Sequence, residues 1–203
     1  MSLLNQVIAC GDHLAKKGLL TATQGNISLL LPDDQILITR SGADLGKLIR
    51  SDILRMTLEG DLRSFRGVPS SETALHLAAY TRFPGIGAVI HAHPPVATTF
   101  ATAGKVLPRG VLAEIELELG EISLLPWAMP GSRELAATLQ LATVEQRALL
   151  LSNHGALTLG NDLEQACRRM ELLEFYATLV WRAEQLGGVV RLTDEQLSRS
   201  PTV

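Results

Sequence analysis

The sequence predicts an α/β fold: one single-domain, three-layer α/β/α unit whose central sheet is mixed and largely antiparallel. Three observations predict it. Short apolar, strand-like runs are interspersed with stretches of helical apolar spacing. Several neighbouring runs are joined by turns too short for a parallel crossover, so hairpins are frequent. The 203 residues show no composition shift and suit one core, so residues 1–203 are read as one domain.

Taken in order, Ser2 caps a helix with apolar positions Leu3, Leu4, Val7, Ile8, Ala9, Leu14 and Ala15, ended by Gly18. His13 lies at the edge of that helix. Ile27–Leu31 and Ile36–Thr39 form a hairpin around Pro32-Asp33-Asp34, and Ile53–Leu58 adds a strand. Pro69 opens a helix over Ser70–Arg82 with Ser70 or Ser71 as cap. Ala88-Val89-Ile90 is a buried strand, followed by a small-residue helix at Val96–Ala101. Leu112–Leu119 alternates, with Glu114, Glu116 and Glu118 on one side and Ile115, Leu117 and Leu119 on the other, the pattern of a half-buried strand. Leu124–Trp127 reads as strand. Ser132 caps a helix through Leu141, and Ala148–Ser152 and Ala156–Leu159 are strands. Asp162 with Gln165 caps a long helix over roughly 163–186, and the tail from about 193 is a short helix and then flexible.

Composition narrows the function classes. Net charge is −3 with pI about 6.0 and no Lys/Arg run, which argues against nucleic acid or a membrane surface as partner. The N-terminal apolar stretch lacks a basic leader and carries Asp12 early, so it is read as helix, not signal peptide. Cys10 and Cys167 are too few for a disulfide framework and lack metal spacing with each other; they fit a reducing cytoplasm and read as small core residues.

The chemistry gathers around AVIHAHPP at 88–95. Side chains two apart on a strand share a face about 6.5–7 Å apart, so His91 and His93 can converge on one ion. Pro94-Pro95 puts them at a strand end, where open α/β sheets carry sites. His154, at the end of the strand Ala148–Ser152, can be presented in the same way. Glu72 lies in the first turn of the helix that runs into the His91 strand. Three histidines and a glutamate make a reasonable divalent-ion site. His76, four residues after Glu72, reads as a buried supporting or packing histidine. Gly25-Asn26, Ser41-Gly42 and Ser70-Ser71 are polar turns whose backbone N–H groups suit phosphate.

GNIS at 25–28, ITRSG at 38–42, PSSE at 69–72, IHAHPP at 90–95, GSREL at 131–135 and SNHG at 152–155 together resemble the class II aldolase/adducin superfamily, most closely its L-fuculose-1-phosphate aldolase branch. The resemblance implies a homotetramer with active sites at subunit interfaces. It implies Zn²⁺, or another divalent transition metal, on His91, His93 and His154. Glu72 would ligate the empty site and become the acid/base when substrate arrives. Phosphate would be held by Asn26, Ser41, Gly42, Ser70 and Ser71. The implied reaction is cleavage of a ketose 1-phosphate to dihydroxyacetone phosphate and an aldehyde through a metal-stabilised enediolate. One departure matters. Aligned through Pro108 and Pro126, the tyrosine that fuculose-phosphate aldolases use as proton donor is Leu112 here. That leaves water, Glu114 or Glu116 as donor, or a different reaction. Methylthioribulose-1-phosphate dehydration within the same superfamily is the alternative, with its acid/base glutamate on the 114–116 segment. A non-catalytic adducin-like binding protein is a further alternative, against which the retained histidines and Glu72 argue.

Overall fold

The computed structural model describes residues 1–63 and 67–198. A seven-stranded sheet runs β3-β2-β1-β4-β7-β6-β5, built from β1 (Asn26–Leu30), β2 (Gln35–Thr39), β3 (Ile53–Thr57), β4 (Ala88–Ala92), β5 (Ser123–Leu125), β6 (Ala148–Leu151) and β7 (Gly155–Gly160). Only the β5–β6 pair is parallel; the others are antiparallel, as the short connections require. Helices cover both faces. On one lie α1 (Leu3–Lys16), α3 (Pro95–Thr102) and α6 (Leu163–Glu184), packed on Ile27, Leu29, Ile90, Leu150 and Ala156. On the other lie α2 (Thr73–Arg82) and α5 (Arg133–Thr138), packed on Val89, Leu149, Leu151 and Leu157. The period-2 alternation of each strand divides its residues between these two cores. Among the described residues no helix is long and apolar enough to cross a membrane.

Three of the predicted caps form: Ser2 accepts from Asn5 N–H, Ser132 from Leu135 N–H and Asp162 from Gln165 N–H, whereas neither Ser70 nor Ser71 caps its helix, Glu72 taking the N-cap position. Other boundaries move. α2 starts at Thr73, not at Ser70, because Ser70–Glu72 form a turn closed by Glu72 N–H on Ser70 Oγ. The helix after Ser132 stops at Thr138 and tightens into a 3₁₀ turn over Leu139–Leu141.

The main correction is at Leu112–Leu119. Instead of a strand, the chain forms helix α4 (Ala113–Glu118). Ala, Glu and Leu are strong helix formers, and Ile115 and Leu119, four apart, bury on one helical face while Leu117 is 51% exposed. The glutamate stripe is thereby dispersed. Glu116 turns back to accept from Gly110 N–H and Arg109, and Glu118 pairs with Arg168 and Arg169. The tail begins with α7 (Asp194–Ser198), and the flexibility expected beyond it falls on 199–203, outside the described residues.

Candidate metal centre

The topology brings the three histidines to one sheet end. His91 shares its face of β4 with Val89, toward α2, and pairs in register with Asn26 of β1 and Leu157 of β7. His93 follows the strand, where Pro94 ends the ladder. His154 sits in the tight β6–β7 turn, preceded by Asn153 in the left-handed region (φ 52°), which asparagine tolerates better than most residues. The ring centroids lie 4.6–5.2 Å apart. A Cβ on Gly155 would stand 2.5 Å from His93 Cδ2, so only glycine admits the His93 ring there.

Glu72, 5% exposed, occupies the N-cap position of α2, and its carboxylate lies between two of these rings. Its Oε2 is 2.9 Å from His91 Nε2, and its Oε1 is 3.2 Å from His154 Nε2 without hydrogen-bond geometry. Burial raises the Glu72 pKa, but the His91 hydrogen bond and charge, with Asn26 and His154, outweigh that and hold it well below the usual carboxylate range.

The donor chemistry fits a cation. His91 Nδ1 is 3.0 Å from the Ala156 carbonyl and His93 Nδ1 is 2.9 Å from Gln24 Oε1, so each Nδ1 carries hydrogen and donates. That directs both Nε2 atoms inward, 3.0 Å apart, with the His91 Nε2 also 2.9 Å from the Glu72 carboxylate. Lone pairs and a carboxylate converging at such distances need a positive centre among them, a proton or a metal ion. The oriented Nδ1–H bonds are the outer partners that metal-ligating histidines ordinarily have. Ligand nitrogens of His91, His93 and His154 all lie within 4.8 Å of one another. Burial, helped by the charge of His91, lowers His154 and lowers His93 to about 4, which keeps both neutral and ligand-competent near pH 7.

These groups open on a cavity of about 220 Å³, whose lining includes Asn26, Ser41, Gly42, Ser70, Ser71, Glu72, His91, His93 and His154. Every residue expected for metal or phosphate is therefore in one place. Glu114 and Glu116 are not part of this lining. Leu112 packs half-buried against the hydrophobic core.

Several contributors were not anticipated. Gln24, Thr23 and Arg40 also line the cavity, and Asp52 holds Arg40 through its Nε at 2.6 Å. Arg40 lies within the ITRSG segment, so a cation beside the polar Ser-Gly turn was the available signal. Behind the cavity, His76 Nε2 meets Asn26 Oδ1 (2.5 Å), Ser28 Oγ meets His76 Nδ1 (2.6 Å), and Tyr80 reaches Ser28 (2.8 Å). Burial and the charge of His91 push His76 down to about 3, although Glu72 opposes this.

Residues 5–181 match the model of the Class II Aldolase and Adducin N-terminal domain. The chain belongs to the class II aldolase and adducin family. Within that family it is 31% identical over 184 residues to a 3-oxo-tetronate 4-phosphate decarboxylase of Escherichia coli, covering 89% of this chain and 86% of the relative. It is 33% identical over 187 residues to an L-fuculose phosphate aldolase of Methanococcus maripaludis, covering 92% and 99%. Among solved structures it superposes with a TM-score of 0.90 on YgbL of Klebsiella pneumoniae, at 29% identity and with 98% and 97% of the chains covered.

Proposed function

We propose that this protein is a divalent-metal-dependent carbon–carbon lyase that acts on a small phosphorylated keto compound and leaves dihydroxyacetone phosphate. The observation that carries this reading is the inward pairing of the His91 and His93 Nε2 atoms, 3.0 Å apart, against the Glu72 carboxylate. His91, His93 and His154 would hold the ion, with Glu72 on it until substrate arrives. Zn²⁺ is the ion proposed, and imidazole ligands also suit Mn²⁺ and Co²⁺. A bound divalent ion supplies a Lewis acid that draws electrons toward the carbonyl next to the breaking bond.

The chain's own residues do the rest. Asn26, Ser41, Gly42, Ser70 and Ser71 hold the phosphate, with the Arg40 charge in the same wall. This fixes the distance from the phosphate to the reacting carbon. The three-carbon fragment needs a proton where its bond has broken, and Glu72 is the acid/base group placed to exchange it.

Two substrates leave the same fragment. A 3-oxo-tetronate 4-phosphate loses its carboxylate as CO₂, while a ketose 1-phosphate loses an aldehyde. Release of an aldehyde requires a base to take the hydroxyl proton at the departing carbon; release of CO₂ requires none. Position 112, where the aldolase tyrosine is expected, is a leucine packed against the core. That observation favours decarboxylation. The aldolase reading is second, supported by the 33% identity over 99% of the Methanococcus maripaludis aldolase. The active unit is proposed to be a homotetramer with sites at subunit boundaries, to which a neighbouring chain adds groups.

The test offers 3-oxo-tetronate 4-phosphate, a panel of ketose 1-phosphates and methylthioribulose 1-phosphate to the metal-loaded protein, and measures dihydroxyacetone phosphate, CO₂ and aldehyde. The expected result is CO₂ with dihydroxyacetone phosphate from the first substrate, lost on chelation. Aldehyde release alone would establish the aldolase reading, and water loss without carbon–carbon cleavage would overturn both.

A further inference from the structure

Away from the sheet end, α1 and α6 pack so that Cys10 and His13, three apart on one helix, face Cys167 and Glu171, four apart on the other. Both spacings place side chains on one helical face. The ligand atoms of His13, Cys167 and Glu171 all lie within 4.8 Å of one another. His13 Nε2 is 2.7 Å from Glu171 Oε1, and the Cys10 and Cys167 thiols face each other across the α1–α6 seam. The sulfurs are buried, while His13 and Glu171 stand at the rim of a cleft of about 660 Å³ that all four line.

We propose that Cys10, His13, Cys167 and Glu171 form a second cation site, selective for a borderline-soft divalent ion such as Zn²⁺, which ties α1 to α6. Two thiolates, one imidazole and one carboxylate are a donor set that Zn²⁺ takes in tetrahedral geometry. Bonds of about 2.0–2.3 Å place tetrahedral ligand atoms roughly 3.3–3.8 Å apart. The His13, Cys167 and Glu171 donors, already within 4.8 Å of one another, need small side-chain shifts to reach this, and Cys10 must turn in beside Cys167 to complete the set. Binding releases both thiol protons to solvent and replaces the His13–Glu171 hydrogen bond with two metal bonds. Two thiolates and a carboxylate around a divalent ion leave one excess negative charge. The Lys17 ammonium, 2.9 Å from Glu171 Oε2, is placed to offset it. The site differs from the histidine centre in its sulfur ligands, so its occupant has a distinct signature.

Cobalt(II) added to reduced, metal-stripped protein reads this directly, because only thiolate ligands give the near-ultraviolet sulfur-to-cobalt charge-transfer band. Wild type should bind two Co²⁺ per chain and show the band. The His91→Ala/His93→Ala/His154→Ala variant should keep the band with one Co²⁺. Cys10→Ser/Cys167→Ser should lose the band but keep one Co²⁺. Because the cysteines are buried, the rim variants His13→Ala and Glu171→Gln are measured alongside, each expected to weaken the band-forming affinity at least tenfold. Absence of the band in wild type, its survival in the double serine variant, or rim variants that bind as wild type would each overturn the proposal. The readout involves no turnover, so it stands or falls apart from the lyase assignment.

Discussion

Asn26 Nδ2 donates a 3.0 Å hydrogen bond to Glu72 Oε2, across 46 residues of sequence. With its Oδ1 accepting from His76 Nε2–H, Asn26 is locked in one orientation. The bonds then run in one direction, from Tyr80 O–H to Ser28, from Ser28 to His76 Nδ1, from His76 to Asn26 and from Asn26 to the carboxylate. A chain of this kind positions Glu72 between His91 and His154 without being part of the cavity wall beyond Asn26.

Glu72→Gln keeps the shape of the side chain but cannot exchange a proton. Fold and metal content should be retained, while solvent deuterium incorporation into dihydroxyacetone phosphate falls by about 10²–10⁴-fold, the usual contribution of a general acid/base. Proton NMR of the dihydroxyacetone phosphate methylene signals measures it, and exchange at the wild-type rate would remove Glu72 from the reaction.

His76→Phe breaks the directed chain and leaves Asn26 Oδ1 buried without its donor, at a cost of about 1–3 kcal/mol. The expected consequence is a kcat about 10–100-fold lower with KM changed less, since Ser41, Gly42, Ser70 and Ser71 keep their contacts with the phosphate and only Asn26 is disturbed. His76→Gln, which can still donate to Asn26, should recover part of kcat. Equal losses in both variants, or a loss confined to KM, would make His76 a packing residue only.

The pH dependence of the metal-free protein follows from its depressed histidines, His76, His93 and His154. His76 and His93 titrate at about 3 and about 4 in the fold, against 6.5 when unfolded. Between those values the unfolded chain binds more protons, so stability is full above the unfolded value and is lost as pH falls through this window. Each proton contributes a slope of about 1.4 kcal/mol per pH unit. Urea denaturation from pH 7 to pH 4 should show a steep decline that is shallower in His76→Phe; a flat profile would contradict the burial assigned to these rings.

Gly155→Ala places a methyl group where His93 Cδ2 and the Ala92 carbonyl already stand, at 2.5 and 2.6 Å. The ring must move, and divalent-ion affinity at the histidine centre should fall at least tenfold, in the range seen when a ligand's support is removed. Isothermal titration with Zn²⁺ in the Cys10→Ser/Cys167→Ser background isolates that centre, and unchanged affinity would show that His93 is not a ligand.

The site was legible because its residues carry local signatures: His-x-His before Pro94, His154 before Gly155, Ser70-Ser71 before Glu72. Each marks a strand or helix end, and one sheet collects those ends. Three features were hidden for physical reasons. The Leu112–Leu119 alternation imitates a strand, yet Ile115 and Leu119 also satisfy a helix, and helix propensity decides between them. The His76–Asn26 bond depends on the β1–β4 register and on how α2 packs over it, neither of which is local. Cys10 and Cys167 share no spacing along the chain; only the packing of α1 on α6 makes them neighbours.

The most direct test of the central claim is anomalous X-ray scattering at the zinc edge from crystals of the Zn²⁺-loaded protein. A peak is expected about 2.0–2.1 Å from the Nε2 atoms of His91, His93 and His154. Crystals soaked in saturating Zn²⁺ with no peak among those three nitrogens would contradict it.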